Sequence, residues 1–309
     1  MRIGIFDNWH EKFSGVLHKH WESMGHTVLF EPGFNPNLVE TCDRVFFESA
    51  DTNSHLASQQ RPYKKGKVFV RVVDVDSWVN GPASIKPGYF DGIIYIANHI
   101  KERSDEKFRN LDGIPNKVIN MGVDLEKFKF RERKKGYKIA FIATRLTEEK
   151  GTDEALKIFS ELKKRNSQYE LHVVGRMFEN DLWEKTIEHI LLENNIKDSV
   201  KFYGNLPYST GNEINDFLEN MDYVLLTSRK EAFSYAIAEG MSKGIKGVCN
   251  NFYRAKDIWP SEMIFNTHRE AVNMIDCDSY NSGEYRKYIQ DNYSLEKHLK
   301  EMDEFMEIA

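Results

Sequence analysis

Short, continuous apolar runs alternate along the chain with longer stretches in which apolar residues recur every three or four positions. In the first 120 residues the runs are "RIGIF", "TVLFE", "DRVFFES", "KVFVRVVDV" and "DGIIYIA". Continuous rather than alternating runs predict strands covered on both faces, as in a parallel sheet. "SGVLHKHWESMG" after the first strand and "NHIKERSDEKF" after the last predict helices, the former with Ser14 as N-cap and Gly25 as its stop. These elements predict a Rossmann-like unit.

A second series begins near Tyr137. "YKIAFIAT", "YELHVVG", "VKFYG", "YVLLTS" and "GVCNN" predict strands. "TDEALKIFSELKKRN", "NDLWEKTIEHILLENN", "GNEINDFLENM" and "YAIAEGMSKG" predict the helices between them. Ala155, Ile158, Phe159 and Leu162 form an apolar stripe on the first helix; Leu182, Ile187, Ile190 and Leu191 form one on the second. The last 25 residues predict two helices with a break near Tyr293. The fold class expected is therefore α/β, two Rossmann-like doubly wound domains facing a cleft: residues 1–120, residues 121–285, and terminal helices at 286–309 packing back on the first. The linker-like signals are Pro115, Gly122 and the charge run of "EKFKFRERKKGY".

Composition changes this picture little. A chain of 309 residues suits two domains, and 40% hydrophobic with 29% charged residues is ordinary for a globular protein. No apolar run approaches the roughly 20 residues of a membrane span, and "MRIGIFDNWHE" reads as a strand rather than a signal peptide. Cys42, Cys249 and Cys277 have no zinc or disulfide spacing, so a reducing, cytoplasmic setting is expected. The net charge of −5 carries no global nucleic-acid signal. The clusters Lys64, Lys65, Lys67 and Arg131, Arg133, Lys134, Lys135 read as solvated loops in preference to anion patches.

Three places could carry chemistry. In "SRKEAFSYAIAEGMSKG", Glu231 falls in a strand-to-helix loop, Ser234 suits the N-cap, and the free amides from Ala232 to Tyr235 suit phosphate or sugar oxygens. Glu239, about a turn and a half into the helix, would accept hydrogen bonds from vicinal hydroxyls or a protein donor. With 48 acidic residues, spacing alone favours a chance pair or a surface-helix Glu, and only the position after a strand narrows that preference. In "ATRLTEEKG", Arg145 and Lys150 flank a strand end and a helix start, where they could hold a diphosphate or simply pair with Glu148 and Glu149. "DVD" at Asp74–Asp76 and "DCD" at Asp276–Asp278 are too common a form to indicate a metal. Asp74, closing its strand, could orient an acceptor hydroxyl or take its proton. No HExxH, GxSxG, Walker or GxGxxG motif occurs, which disfavours metalloprotease, serine hydrolase, ATPase and ordinary dehydrogenase readings.

Several of these segments stand in one familiar order. "PNKVINMGVDLEKF", "ATRLTEEKG", "YELHVVG", "VKFYGNL", "MDYVLLTSRKEAF" and "EAFSYAIAE", an E-x7-E pattern, resemble retaining glycosyltransferases of family 4, which have the two-domain GT-B fold. The resemblance covers about Asn116 to the C-terminus and is weaker before it. It implies a nucleoside-diphosphate-sugar donor held by the second domain. By resemblance, Arg145 and Lys150 hold the diphosphate, and Glu239 accepts from the ribose. Glu231 with the amides of Ala232, Phe233 and Ser234 holds the sugar. Asn205 and Leu206 contact the base, with Gly175 on the same donor side. No metal and no further cofactor are implied. The chain departs from the family at Ala232, Ser234 and Thr144, where glycines are usual, at Arg176–Phe178 after "VVG", at Lys246, and at Asp74, where the family often has His.

The reaction expected is sugar transfer to a hydroxyl of a glycan, a lipid-linked sugar or a small metabolite. A hydroxymethylated DNA base, acted on by a compact viral enzyme, is an alternative that the acidic charge disfavours. A non-catalytic sugar-nucleotide or glycan-binding module and an epimerase or phosphorylase on a similar fold are the other readings.

Overall fold

The computed structural model describes residues 1–9, 13–79, 81–86, 88–177, 180–206 and 212–308, and the chain divides into two units. One comprises Met1–Gly122 with Leu295–Ala309, the other Val123–Ser294. In the first, the order is β1 (Arg2–Phe6), α1 (Gly15–Ser23), β2 (Thr27–Glu31), α2 (Pro36–Thr41), β3 (Arg44–Phe47), α3 (Thr52–Gln60), β4 (Lys67–Val72), α4 (Asp74–Val79), β5 (Gly92–Tyr95), α5 (Asn98–Lys107) and β6 (Asn116–Val118). The strands pair in parallel in the order β2-β1-β3-β4-β5-β6. The chain leaves β1 for β2 and returns to β3 on β1's other side. That reversal puts the loops after β1 and β3 at a switch point, where such sheets bind ligands.

Two details differ from expectation. Ser14 does precede α1, but its side chain makes no cap bond; its hydroxyl donates to buried Asp7 at 2.6 Å. The strand through "KVFVRVVDV" ends at Val72, and Asp74 opens α4 instead of closing the strand. Asp76 forces this turn: its carboxylate accepts from the Val73 amide at 3.0 Å, the Ala50 amide at 2.9 Å and the Ser49 hydroxyl at 2.6 Å.

The second unit runs β7 (Lys138–Leu146), α6 (Thr152–Arg165), β8 (Glu170–Met177), α7 (Asp181–Glu193), β9 (Val200–Phe202), α8 (Glu213–Glu219), β10 (Tyr223–Leu226), α9 (Tyr235–Ser242), β11 (Lys246–Asn250), β12 (Ile264–Phe265), α10 (His268–Asp276) and α11 (Ser282–Tyr293). Its sheet is also parallel, in the order β12-β11-β10-β7-β8-β9, so the switch point lies between β7 and β10. The α6 stripe is buried as its period predicts. On α7, Ile187 and Leu191 are buried, but Leu182 is 75% exposed. The basic run before β7 is solvated only in part: Arg131 and Lys134 are exposed, whereas Arg133 is buried. Buried Arg133 donates to the Lys243, Glu219 and Met221 carbonyls at 2.9–3.0 Å. A cation is thereby placed at the ends of α8 and α9, where helix dipoles favour it.

The expected boundary at 286 lies inside α11, whose Ile289 and Tyr293 are buried in the second unit's core. Only α12 (Leu295–Met306) joins the first unit, where Met302 and Met306 pack with Ile3, Trp21 and Phe46. Beneath α12, fully buried Arg71 donates to Glu48 at 2.6 Å and approaches His298 Nε2 at 3.5 Å. Nδ1 of His298 donates to the Asn120 carbonyl at 2.7 Å, since a carbonyl can only accept. Burial, with Arg71 beside it, pushes His298 down to about 3 and keeps it neutral. Burial pushes the Glu48 carboxyl up to about 7 against the pull of Arg71. Removing one partner of such a pair leaves a bare buried charge. Arg71→Ala should therefore lower unfolding free energy by about 3–5 kcal/mol in chemical denaturation at pH 8; a loss below about 1 kcal/mol would contradict it.

Candidate functional site

Two loops meet at the second unit's switch point. Gly151 caps α6 at φ +69°, and a Cβ there would lie 2.3 Å from the Thr227 carbonyl. Only glycine tolerates both the left-handed backbone and that approach. Thr227, just past β10, donates its hydroxyl to the Lys150 and Gly151 carbonyls at 3.1 and 2.7 Å. The Arg229 amide donates to the Glu149 carbonyl at 2.9 Å, and its guanidinium pairs with Glu148 at 2.8 Å.

So docked, the loops bring Lys150 Nζ to 2.7 Å from Glu231 Oε1. Lys150 therefore pairs across the loops, not with its neighbours Glu148 and Glu149. Both side chains are part-buried, so the pair is reachable yet poorly screened. Ser234 caps α9, accepting from the Ile237 amide at 3.5 Å. The Phe233 ring is fixed against Tyr235, Trp259 and Tyr293, with centroids 5.2–5.6 Å apart, which holds the helix entry rigid. The Ala232 side chain is buried.

Glu239 is 6% exposed, and its Oε2 has no hydrogen-bond partner among the described residues. Burial pushes its carboxyl up to about 8, only partly opposed by the charge of Lys127. A buried carboxyl oxygen without a partner costs stability and calls for a ligand to satisfy it.

Arg145 lies exposed near the end of β7, after a register shift, and pairs in the ladder with exposed Arg176 of β8. Neither has an ion-pair partner among the described residues. Two adjacent guanidinium groups left unpaired mark a place for an anion. In the sequence Arg176 stands out only as a departure after "VVG", not as a site residue; its place at a strand end was the available signal. Gly175 has φ +148°, and a Cβ there would meet the Ala143 carbonyl at 2.4 Å, so the strand requires glycine. Asn205 is exposed after β9, and Leu206 packs part-buried against the core that holds α9. Residues 207–211, which follow them, lie outside the described residues.

Asp74, in the first unit, is half-buried at the start of α4, whereas Asp76 is the buried carboxylate there. In "DCD", Asp276 accepts from Tyr169 at 3.1 Å and pairs with Arg165, and Asp278 pairs with Lys135. Among the described residues, no three His, Cys, Asp or Glu side chains gather as a metal site would need, and no helix is long and apolar enough to cross a membrane.

The family model described as glycosyl transferases group 1 matches residues 124–304. No curated protein matches the chain significantly. Three solved structures share its fold over nearly their whole length. A glycosyltransferase from Rickettsia africae is 14% identical with TM-score 0.72, covering 99% of this chain and 97% of that one. Anabaena HepE, solved with UDP and glucose, is 13% identical with TM-score 0.73 over 100% and 99%. Sucrose-phosphate synthase from Thermosynechococcus elongatus is 12% identical with TM-score 0.75 over 99% and 98%. At these identities the likeness is one of fold, the GT-B pair of Rossmann-like units.

The raised Glu239 carboxyl has a signed consequence. Between its ordinary value of 4.5 and about 8, the folded chain keeps a proton that the unfolded chain has released. Stability contributed by this group is thus intact below pH 4.5 and is lost as pH rises toward 8. Glu239→Gln should remove that loss: the variant's melting temperature should gain on the wild type from pH 5 to pH 8. Parallel profiles would refute the assignment.

Proposed function

The chain belongs to the glycosyl transferases of group 1 and is an enzyme of that class, and from that premise we propose that it moves a sugar from a nucleoside-diphosphate sugar to a hydroxyl acceptor. The proposed transfer retains the anomeric configuration and needs no metal. The observation that carries this reading is the Lys150–Glu231 pair, 2.7 Å apart at the switch point, beside the capped start of α9. That site offers cations, free helix amides and a carboxylate together, which is what a sugar diphosphate presents partners for.

In this reading Lys150, Arg145 and Arg176 hold the diphosphate and stabilise the charge that grows on it as the sugar leaves. Fixed cations and a helix end then do the work a divalent ion does elsewhere. Glu231, with the amides of Ala232, Phe233 and Ser234, holds the sugar. The bare oxygen of Glu239 meets the ribose hydroxyls. Asn205 and Leu206 meet the base, and Gly175 keeps the neighbouring strand end free of a side chain. Asp74 belongs to the acceptor side, where the acceptor is a glycan, a lipid-linked sugar or a small metabolite in the cytoplasm. The binding of UDP and glucose by HepE supports the choice of donor class.

A thermal-shift screen of uridine, guanosine and adenosine diphosphate sugars, followed by donor-consumption assays, tests this. At least one should raise the melting temperature and be consumed, at a rate unchanged by EDTA. Lys150→Ala should cut turnover of that donor by about 100–1,000-fold, as expected for removing one donor from a charge-stabilising site. If no sugar nucleotide protects the chain and none is consumed, the reading fails.

A further inference from the structure

Lys150 and Glu231 meet on two braced loops. The Lys150 carbonyl accepts from the Thr227 hydroxyl at 3.1 Å, and the Lys150 amide donates to Thr147 Oγ1 at 3.3 Å. On the other loop, the Ser228 carbonyl accepts from Asn250 Nδ2 at 3.1 Å, and the Arg229 amide donates to the Glu149 carbonyl at 2.9 Å. The ammonium and the carboxylate, 2.7 Å apart, therefore rest on backbones that hold them together. An anion oxygen at hydrogen-bond distance from Lys150 Nζ, about 2.9 Å, then lies no more than about 6 Å from Glu231 Oε1. That is inside the roughly 8 Å over which salt screens charges at physiological ionic strength. The Glu231 side chain is only 15% exposed, which weakens screening further. An anion that Lys150 attracts is thus one that Glu231 repels.

A sugar diphosphate and its product differ at this point. In the donor, the β-phosphate is esterified on both sides and carries one negative charge, and its sugar offers hydroxyl hydrogens to a carboxylate. Transfer breaks the bond between the anomeric carbon and a β-phosphate oxygen, which keeps the electron pair, while the acceptor oxygen bonds that carbon. The acceptor's proton ends in solvent at neutral pH, because a terminal phosphate ionises a second time near pH 6. The spent nucleoside diphosphate therefore carries about one more negative charge than the donor, and it has no hydroxyl hydrogen to offer there.

We infer that Glu231 discriminates against the spent nucleoside diphosphate: it accepts from the sugar while the donor is whole, then competes for Lys150 and repels the terminal phosphate once the sugar has gone. Such a group weakens product binding more than donor binding, and so speeds the product release that often limits turnover. This role of Glu231 rests on the donor reading above and adds to it a preference between two nucleotides that holding the sugar does not require.

Titration calorimetry with the full chain at about pH 7.5 tests it. The probes are UMP, UDP and UDP-glucose, or the matching set for the base that the thermal screen selects. In Glu231→Gln, which keeps the shape and removes the charge, UDP should bind about tenfold tighter, a lower bound for lifting a like-charge contact. UDP-glucose should gain less or lose affinity, so the ratio of the UDP to the UDP-glucose dissociation constant should fall. Glu231→Ala should move that ratio in the same direction, and Glu231→Asp, which keeps a charge, should move it less. An unchanged ratio, or weaker UDP binding in both neutral variants, overturns the inference and leaves the donor reading standing. A gain for UMP as large as that for UDP also overturns it, because the effect would not belong to the terminal phosphate. Failure of the wild type to bind any nucleotide or sugar nucleotide sinks the donor reading, and this role of Glu231 with it.

Discussion

The absence of a side chain at Gly151 is the constraint on which the donor site depends. Any Cβ there would collide with the Thr227 carbonyl, so the loop after β7 could not settle on the loop after β10. That contact sets the Thr227 hydroxyl on two carbonyls, and it sets Lys150 against Glu231. Neither loop alone contains a site. The parallel sheet supplies the place, because its order reverses between β7 and β10.

The same region carries unmet electrostatic demand that packing alone does not explain. Arg145 and Arg176 stand side by side in the ladder, and Glu239 is buried with one oxygen bare. The buried guanidinium groups of Arg133 and Arg71 at least have partners: Arg133 donates to three carbonyls near the ends of α8 and α9, and Arg71 pairs with Glu48 beneath α12, although Glu48 Oε2 and Arg71 Nε lack hydrogen bonds. Glu239 has a bare oxygen and no ion pair among the described residues, so it is a destabilising group that a ligand can relieve.

Much of this was legible in the sequence. The continuous apolar runs marked ten of the twelve strands among the described residues, because a sheet covered on both faces leaves no alternation to misread. α3 was not legible: it buries Asn53, Ser54, Ala57 and Ser58, small or polar residues that make no apolar stripe. α10 carries a Thr267–Glu270 capping box that could have been read, and α2 has Asn35 and Pro36 at its start. At the donor site the E-x7-E spacing and the two cations were visible, but the partner of Lys150 was not, since it lies 81 positions away. Arg176 was hidden for a similar reason: strand register, not sequence distance, makes it a neighbour of Arg145. On the first unit, reading "DVD" as a strand end pointed to Asp74, whereas the turn into α4 buries Asp76.

A crystal structure of the chain with a bound nucleoside diphosphate tests the central claim most directly. The account predicts phosphate oxygens within hydrogen-bond reach of Lys150 and Arg145, and a ribose hydroxyl on Glu239. A nucleotide seated away from the loops after β7 and β10, with the Lys150–Glu231 pair untouched, would contradict it.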